Sequence, residues 1–384
     1  MNFFSCNKKI GILGGGQLGK MLLASTRKWN ITTHVLDPNN NAPANLCCNN
    51  FICGDYKDFD TVYKFGKNLD LITYEIEHVN LKALIKLKEE GVKIYPSPEN
   101  LSVIQNKYLQ KKFYIENDIP TAKYLFFKSK NDIIKAISSK KIKFPFVWKS
   151  TSMGYDGFGV KIVKNIQDFD RLNDLECICE DLVKLDKELA VIVCRNPNGE
   201  IVTYPTVEME FNDESNQVEY VLCPARISNE ISQKANQIAL SVSKSFQHIG
   251  LLAVELFLTK NKKILVNEVA PRPHNSGHYS IEGAKTNQFD QHIRAILNLP
   301  LGDTSSISPT VMLNLVGDKN HNGIVQYKNI NELFKFPGVN PHIYGKKQTR
   351  PFRKMGHITI TNTSIVKAKD IAKKIKKIIS IISK

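Results

Sequence analysis

A buried-strand pattern at Lys8–Leu13 runs directly into Gly14–Gly15–Gly16–Gln17–Leu18–Gly19 and then into the helical stretch KMLLASTRKW. This order constrains the start of the chain to an open parallel α/β sheet, because a glycine turn lets strand, turn and helix pack closely. A second strand, Thr32–Leu36, ends at Asp37, an acid about 20 positions beyond the turn as in the dinucleotide fingerprint. Taken alone, the pattern reads as a nicotinamide enzyme. A helix N-terminus accepts any phosphate or anion, however, so the motif fixes a fold better than a ligand. Further strands are predicted at Asn50–Cys53, Leu69–Tyr74 and Val92–Tyr95, with helices between them.

At 384 residues the chain holds two or three domains on a prior of about 150 residues each, and 42% hydrophobic with 23% charged residues is a globular composition. MNFFSCNKKIGILGGG lacks the layout of a signal peptide, and no apolar run approaches the ~18 residues that span a membrane, so a cytoplasmic protein is expected. The eight cysteines include a C-x-C but no C-x-x-C and no zinc quartet, and read as reduced, mostly buried thiols. A net charge of +16 invites a nucleic-acid reading, but the lysines are scattered and no recognition motif accompanies them. The balance also suits a substrate carrying phosphate or carboxylate, or a genome rich in Lys, Asn and Ile codons. No nucleic-acid partner is expected.

The chemistry is concentrated further along. Leu252–Leu258 and Ile264–Val269 are apolar, β-branched runs separated by a polar turn, which predicts a hairpin carrying Glu255 and Glu268. Mg²⁺ is usually held by one or two carboxylates plus substrate phosphates, so these two glutamates with the amide oxygen of Asn267 form a candidate site. Two ordinary exposed strand-end glutamates are the alternative. A helix is predicted over Glu99–Asn117, with Lys107, Lys111 and Lys112. Beyond it, the strand Phe144–Lys149 leads through a loop with Gly154, Gly157 and Gly159 into the strand Val160–Val163, which is either a lid over phosphates or a plain hairpin. Cys177–Val183 is a short strand bearing Glu180, and Glu188 opens another. Strand edges followed by carboxylates commonly hold adenine and ribose, although solvated glutamates read the same way. Lys346, Lys347, Arg350, Arg353 and Lys354 crowd beside apolar strands, suiting an anionic small molecule or a solvated basic loop. The terminal stretch VKAKDIAKKIKKIISIISK predicts an amphipathic helix docked on its own domain.

Five segments together resemble the ATP-grasp enzymes, most closely the family of 5-(carboxyamino)imidazole ribonucleotide synthases: IGILGGGQLGKML, YEIEHV, GYDGFG, VNEVAPRPHNSGH and YGKKQTRPFRKMGH. The resemblance covers nearly the whole chain. It implies an α/β protein, α+β in its ATP-grasp part, with three domains: an open parallel sheet over residues 1–103, a small lid domain over 104–190, and an ATP-grasp and β-rich substrate domain over 191–384. It implies ATP and Mg²⁺ as cofactors, 5-aminoimidazole ribonucleotide and bicarbonate as substrates, a homodimer, and a functional link to the next mutase of purine synthesis.

Residue by residue, the resemblance places Lys107 and Lys149 on ATP phosphates, with Gly154, Tyr155, Asp156, Gly157, Phe158, Gly159 and Val160 as the covering loop. Glu180, Asp181, Leu182 and Val183 with Glu188 hold adenine and ribose; Glu255 and Glu268, helped by Asn267, bind magnesium. The ribonucleotide falls to Gln17, Leu18, Glu75, Tyr155, Asp156, Lys346, Arg353 and Lys354. Arg272, His274, Asn275 and Ser276 surround bicarbonate or carboxyphosphate, and His278 is equally a turn-stabilising or a catalytic histidine. The chain departs from the family at Lys107, where arginine is more usual, at Phe158 and Val160 in the loop, and at Phe211, where many members carry a histidine. The rivals are a formate-using glycinamide ribonucleotide ligase, a nicotinamide dehydrogenase and a non-catalytic nucleic-acid binder.

Overall fold

The structure, a computed structural model, describes residues 8–152 and 159–384. Its N-terminal part is a parallel five-stranded sheet in the order Asn50–Cys53, Thr32–Asp37, Lys9–Leu13, Leu71–Tyr74, Lys93–Ile94. Ile12, Leu13, Leu36, Ile72 and Tyr74 are fully buried, as expected for strands covered by helices on both faces. The chain order reverses at Lys9–Leu13, whose neighbours are the second strand on one side and the fourth on the other. The glycine turn therefore sits at the topological switch point, where open α/β sheets place ligands.

The predicted helix Glu99–Asn117 is two helices, Pro98–Ile104 and Lys107–Glu116. The break is local chemistry: the Asn106 side chain leaves the helix to accept the Tyr108 and Leu109 N–H groups, a strong N-cap. This restart puts Lys107 at the mouth of a new helix, with Lys111 one turn on along the same face. A four-stranded antiparallel sheet follows, ordered Tyr124–Phe127, Cys177–Asp181, Phe146–Ser150, Val160–Val163. Trp148, Phe146, Cys177 and Cys179 bury one of its faces. Lys149 and Glu180 lie on the other, since Glu180 pairs with Val147 and side chains alternate along a strand.

The body is an antiparallel sheet ordered Ile264–Ala270, Gly250–Thr259, Leu185–Arg195, Val207–Phe211, Val218–Cys223, Thr310–Val316, Lys354–Thr361, Val339–Ile343. Leu185–Arg195 pairs with Gly250–Thr259 in one register from Lys187 to Arg195, so residue 190 lies inside a strand. The helix Asn229–Phe246 lays Ala235, Ala239, Val242 and Phe246 on one face, against Val191, Val193, Val254, Leu256, Val266 and Val269. Burying each such Val or Leu contributes about 1.5–3 kcal/mol, which fixes the register that turns Glu255 to the opposite face. The terminal helix Ile365–Ile378 docks on its own domain through Ala368, Ala372 and Ile375, against Leu313, Leu315, Ile358 and Ile360. The chain after it, Ser380–Ser383, is a strand beside Gly323–Lys328 rather than more helix. No helix among the described residues is long and apolar enough to cross a membrane.

Candidate active site

The predicted hairpin is present, and it carries a β-bulge. Val254 pairs with Val269 and Leu256 with Val266, so Glu255 alone faces two residues, Asn267 and Glu268. A bulge of this kind re-aims side chains while Val266 and Val269 both stay on the helix-covered face. Glu255, Asn267 and Glu268 consequently share one side with Glu188. The three carboxylates act on one another: Glu255 is pushed up to about 8 by burial and by the charges of Glu268 and Glu188. Glu188 is pushed up to about 7, chiefly by burial. Burial opposes ionisation at Glu268 too, but the charge and hydrogen bond of Lys107, with the charge of Lys149, outweigh it and hold this carboxyl low.

The lysines meet this cluster from three elements. Lys107 Nζ lies 2.5 Å from Glu268 Oε2. Lys149 Nζ donates to Asn267 Oδ1 at 2.9 Å and pairs with Glu180 Oε2 at 3.0 Å. The other Glu180 oxygen, Oε1, is 2.9 Å from Lys111 Nζ, and all three side chains are at most 8% exposed. Lys111 also donates to Thr121 Oγ1 at 2.6 Å, and Thr121 donates to the Val266 carbonyl at 2.8 Å, next to Asn267. A closed circuit thus ties the lid sheet to the bulged hairpin. Among the described residues no three His, Cys, Asp or Glu side chains are placed to enclose a metal ion. Two carboxylates and an amide oxygen at one bulge fit Mg²⁺, which takes its remaining oxygens from phosphate and water.

Next to the bulge, the loop after Ala270 presents Arg272 and His274. Arg272 Nε is 3.0 Å from Glu77 Oε1, a contact reaching back to the first sheet. His274 Nδ1 lies 3.3 Å from the Ser276 N–H and 2.9 Å from Ser276 Oγ. A backbone N–H can only donate, so Nδ1 is the acceptor and neutral His274 carries its proton on Nε2, 3.5 Å from Glu255 Oε1. Asn275 and Asn314 exchange two amide hydrogen bonds of 2.9 and 2.8 Å. Arg272 and His274 therefore face the site, whereas Ser276 and Asn275 hold the loop in shape.

The second concavity lies at the glycine turn. Gly15 N–H donates to Asp37 Oδ2 at 2.8 Å and Gly16 N–H to Glu75 Oε1 at 2.6 Å. A Cβ on Gly16 would stand 2.7 Å from Glu75 Oε1, so the glycine is there to admit a carboxylate. Both amides that a dinucleotide pyrophosphate needs are thereby occupied by acids, which is the physical objection to the nicotinamide reading. A cleft of about 490 Å³ opens here between Gly16, Asp37 and Asn41 on one side and Lys346, Lys347 and Arg353 on the other. Lys20 Nζ donates to the Ile343 carbonyl at 2.9 Å, and Lys347 Nζ to Asn41 Oδ1 at 2.5 Å, closing the two parts of the chain together. Burial pushes the Glu75 carboxyl up, against the pull of Gly16 N–H, Arg272 and Lys346. A groove of about 530 Å³ beside Lys234, Ser241 and Lys263 shares no residue with either region.

Several expected residues have partners within the chain. Both Glu180 oxygens lie against lysine Nζ atoms, and Asp181 and Leu182 are exposed just beyond it. The Leu18 side chain is buried with Leu22, Leu23 and Phe289, leaving only its backbone for a ligand, while Gln17 is half-buried at the helix start. Lys354 opens the strand Lys354–Thr361, and its carbonyl accepts from Lys346 Nζ at 2.8 Å. Arg353 Nη1 donates to the Gln348 carbonyl at 2.8 Å. Gly154, Tyr155, Asp156, Gly157 and Phe158 lie outside the described residues; Gly159 accepts from Ser150 N–H at 2.9 Å and Val160 pairs with Lys149. Sequence reasoning missed Glu77, Lys111, Asn314 and Gln288. The second glutamate of YEIEHV and the one-turn spacing from Lys107 to Lys111 were usable signals; nothing local marks Asn314 or Gln288.

Comparison with known proteins matches three successive segments of the chain. Residues 7–105 match the profile described as ribonucleotide synthetase preATP-grasp domain, 112–289 the ATP-grasp domain, and 310–371 the phosphoribosylaminoimidazole carboxylase C-terminal domain. The N5-carboxyaminoimidazole ribonucleotide synthase of Bacillus subtilis is 38% identical over 91% of this chain and 90% of its own. The phosphoribosylaminoimidazole carboxylase of Ogataea methanolica is 38% identical over 94% of this chain and 67% of its own. The chain spans about two thirds of the length of such fungal relatives. The crystal structure of the Thermotoga maritima synthetase superposes with a TM-score of 0.91 at 42% identity, covering 98% of this chain and 100% of that one. The Aspergillus clavatus synthase in complex with ADP and 5-aminoimidazole ribonucleotide gives 0.88 at 33% identity, covering 97% and 99%. With the whole architecture and all three segments matched, the chain belongs to the N5-carboxyaminoimidazole ribonucleotide synthase family of ATP-grasp enzymes.

Proposed function

We propose that this chain carboxylates the exocyclic amine of 5-aminoimidazole ribonucleotide at the expense of ATP and bicarbonate, releasing ADP and phosphate. The observation that carries the reading is the meeting of the Glu255–Glu268 bulge with Lys107, Lys149 and the Arg272–His274 loop, close to a basic cleft. The relative solved with ADP and the ribonucleotide supports the same pair of ligands.

In this reading Glu255 and Glu268 would hold Mg²⁺, which would supply charge neutralisation on the phosphates. Lys107 and Lys149 move from their carboxylate partners onto phosphoryl oxygens, and Arg272 offsets charge on the bicarbonate-derived group. The chemistry is phosphoryl transfer to bicarbonate, giving carboxyphosphate, and then attack of the amine on that carbon or on released CO₂. Positioning and charge complementarity carry it, and the lid excludes water that would destroy the activated carboxylate. Lys346 and Arg353, with Glu75 and the glycine turn, hold the ribonucleotide. A cytoplasmic homodimer passing its product to a mutase is part of the same proposal, as is the role of Gly154–Phe158 as the lid.

The test is phosphate release from Mg·ATP with 5-aminoimidazole ribonucleotide, with and without bicarbonate, alongside direct detection of the carboxylated product. Phosphate and product that both require bicarbonate support the reading. Dependence on formate instead, or no stimulation by the ribonucleotide, sinks it in favour of another ATP-grasp ligase.

A further inference from the structure

Gln288 opens the helix Gln288–Ile296 and is fully buried. Its side-chain amide makes three hydrogen bonds, all to the loop that carries Arg272 and His274. Oε1 accepts the His274 N–H at 2.9 Å, Nε2 donates to the His274 carbonyl at 2.9 Å, and Nε2 meets His278 Nδ1 at 2.8 Å. The two backbone contacts fix which end of the amide is which, because the reverse orientation would set the NH₂ against an N–H donor. Nε2 then has one hydrogen left for His278, so His278 Nδ1 is the acceptor. Neutral His278 must carry its proton on Nε2.

The surroundings keep the loop against this amide. A Cβ on Gly277 would lie 2.4 Å from Gln288 Oε1, so the loop closes on Gln288 where a side chain is absent. Ser280 Oγ donates to the Gly277 carbonyl at 2.6 Å and accepts the Gln288 N–H at 3.0 Å. The His278 ring, 1% exposed, is flanked by His357 at 4.7 Å and Phe289 at 5.9 Å between ring centroids. Burial keeps this imidazole neutral.

We infer that Gln288 is a positioning residue for the bicarbonate subsite: it clamps His274 through both backbone groups and locks His278 as the Nε2–H tautomer. The inference rests on the reading of Arg272–Ser276 as that subsite. Gln288 touches no substrate in this role; it sets the geometry of residues that do, and a displacement of about 1 Å in such a group costs on the order of 10²-fold in rate.

Gln291 supplies the control. It is equally buried on the same helix, and its amide clamps the N–H and carbonyl of Gly302 at 2.9 and 3.0 Å, in a segment without site residues. The experiment records ¹⁵N spectra of the histidine-labelled full chain, with His278 assigned by His278→Gln, and steady-state kinetics of Gln288→Glu and Gln291→Glu. The wild type is expected to show a protonated Nε2 and a bare Nδ1 at His278. In Gln288→Glu the carboxylate faces Nδ1, so the proton is drawn there; kcat/KM for bicarbonate falls about 10²-fold while KM for Mg·ATP stays within about twofold. Gln291→Glu leaves KM for bicarbonate unchanged. A wild-type His278 protonated on Nδ1 overturns the tautomer assignment without needing any variant to fold. Bicarbonate kinetics alike in Gln288→Glu and Gln291→Glu overturn the positioning role. A wild type whose turnover ignores bicarbonate overturns the functional reading and the kinetic part with it, an outcome distinct from failure of the clamp alone.

Discussion

Replacing Glu255 with glutamine tests the carboxylate cluster without any ligand. The Glu255 side chain is 16% exposed and faces the acids Glu268 and Glu188. Raising its carboxyl from 4.5 to about 8 corresponds to about 5 kcal/mol at most. Below about pH 4.5 the folded and unfolded chains both hold this proton. Between there and pH 8 only the folded chain does, so ligand-free stability falls as pH rises through that window and levels off above it. Glutamine is isosteric and never ionises, so it lacks this loss. Because Glu268 shares in the titration, we expect Glu255→Gln to exceed the parent by ~3–5 kcal/mol at pH 9 and by at most about 1 kcal/mol at pH 5. Urea denaturation of both proteins in chelator at pH 5, 7 and 9 measures the difference. A gap that does not vary with pH would refute the crowding of carboxylates at the bulge.

Glu268→Gln should abolish turnover with an unchanged circular dichroism spectrum, and an active variant would remove this residue from the metal site. Lys346→Ala and Arg353→Ala should each raise KM for the ribonucleotide roughly tenfold or more, the worth of a charge-assisted hydrogen bond, with KM for Mg·ATP unchanged. Unaltered ribonucleotide kinetics would mean that the basic cleft binds something else. Lys111→Met should destabilise the protein by about 1–3 kcal/mol, because Glu180 Oε1 and Thr121 Oγ1 lose a buried partner while Lys149 still pairs with Glu180. A change below about 1 kcal/mol by thermal or urea denaturation would show that Lys111 is dispensable to that circuit.

Much of the architecture could be read locally. The glycine turn, the parallel strands and the acidic hairpin are set by short-range periodicity and turn chemistry, and they occur within a few residues of their expected positions. The bulge was also written in the chain, since Val266 and Val269 stand three apart and can share a face only if an extra residue intervenes. The single helix predicted over Glu99–Asn117 is split at Asn106, where a side chain able to cap the next two N–H groups starts a new helix.

The order of residues sets the inventory: which segments bury, which turns close tightly, and which acids and lysines are available. Which of these meet is set by packing in three dimensions. Asp37 reads as the acid of a dinucleotide fingerprint, yet in three dimensions it and Glu75 occupy the Gly15 and Gly16 N–H groups, and the basic side of the cleft comes from Lys346 and Arg353, some 300 residues away. Glu180 reads as one of the residues around a nucleotide, and the fold sets its two oxygens beside Lys111 and Lys149. Hydrogen-bonding capacity is finite and is allotted by proximity, and proximity between distant segments is set by how the buried faces of the sheets pack.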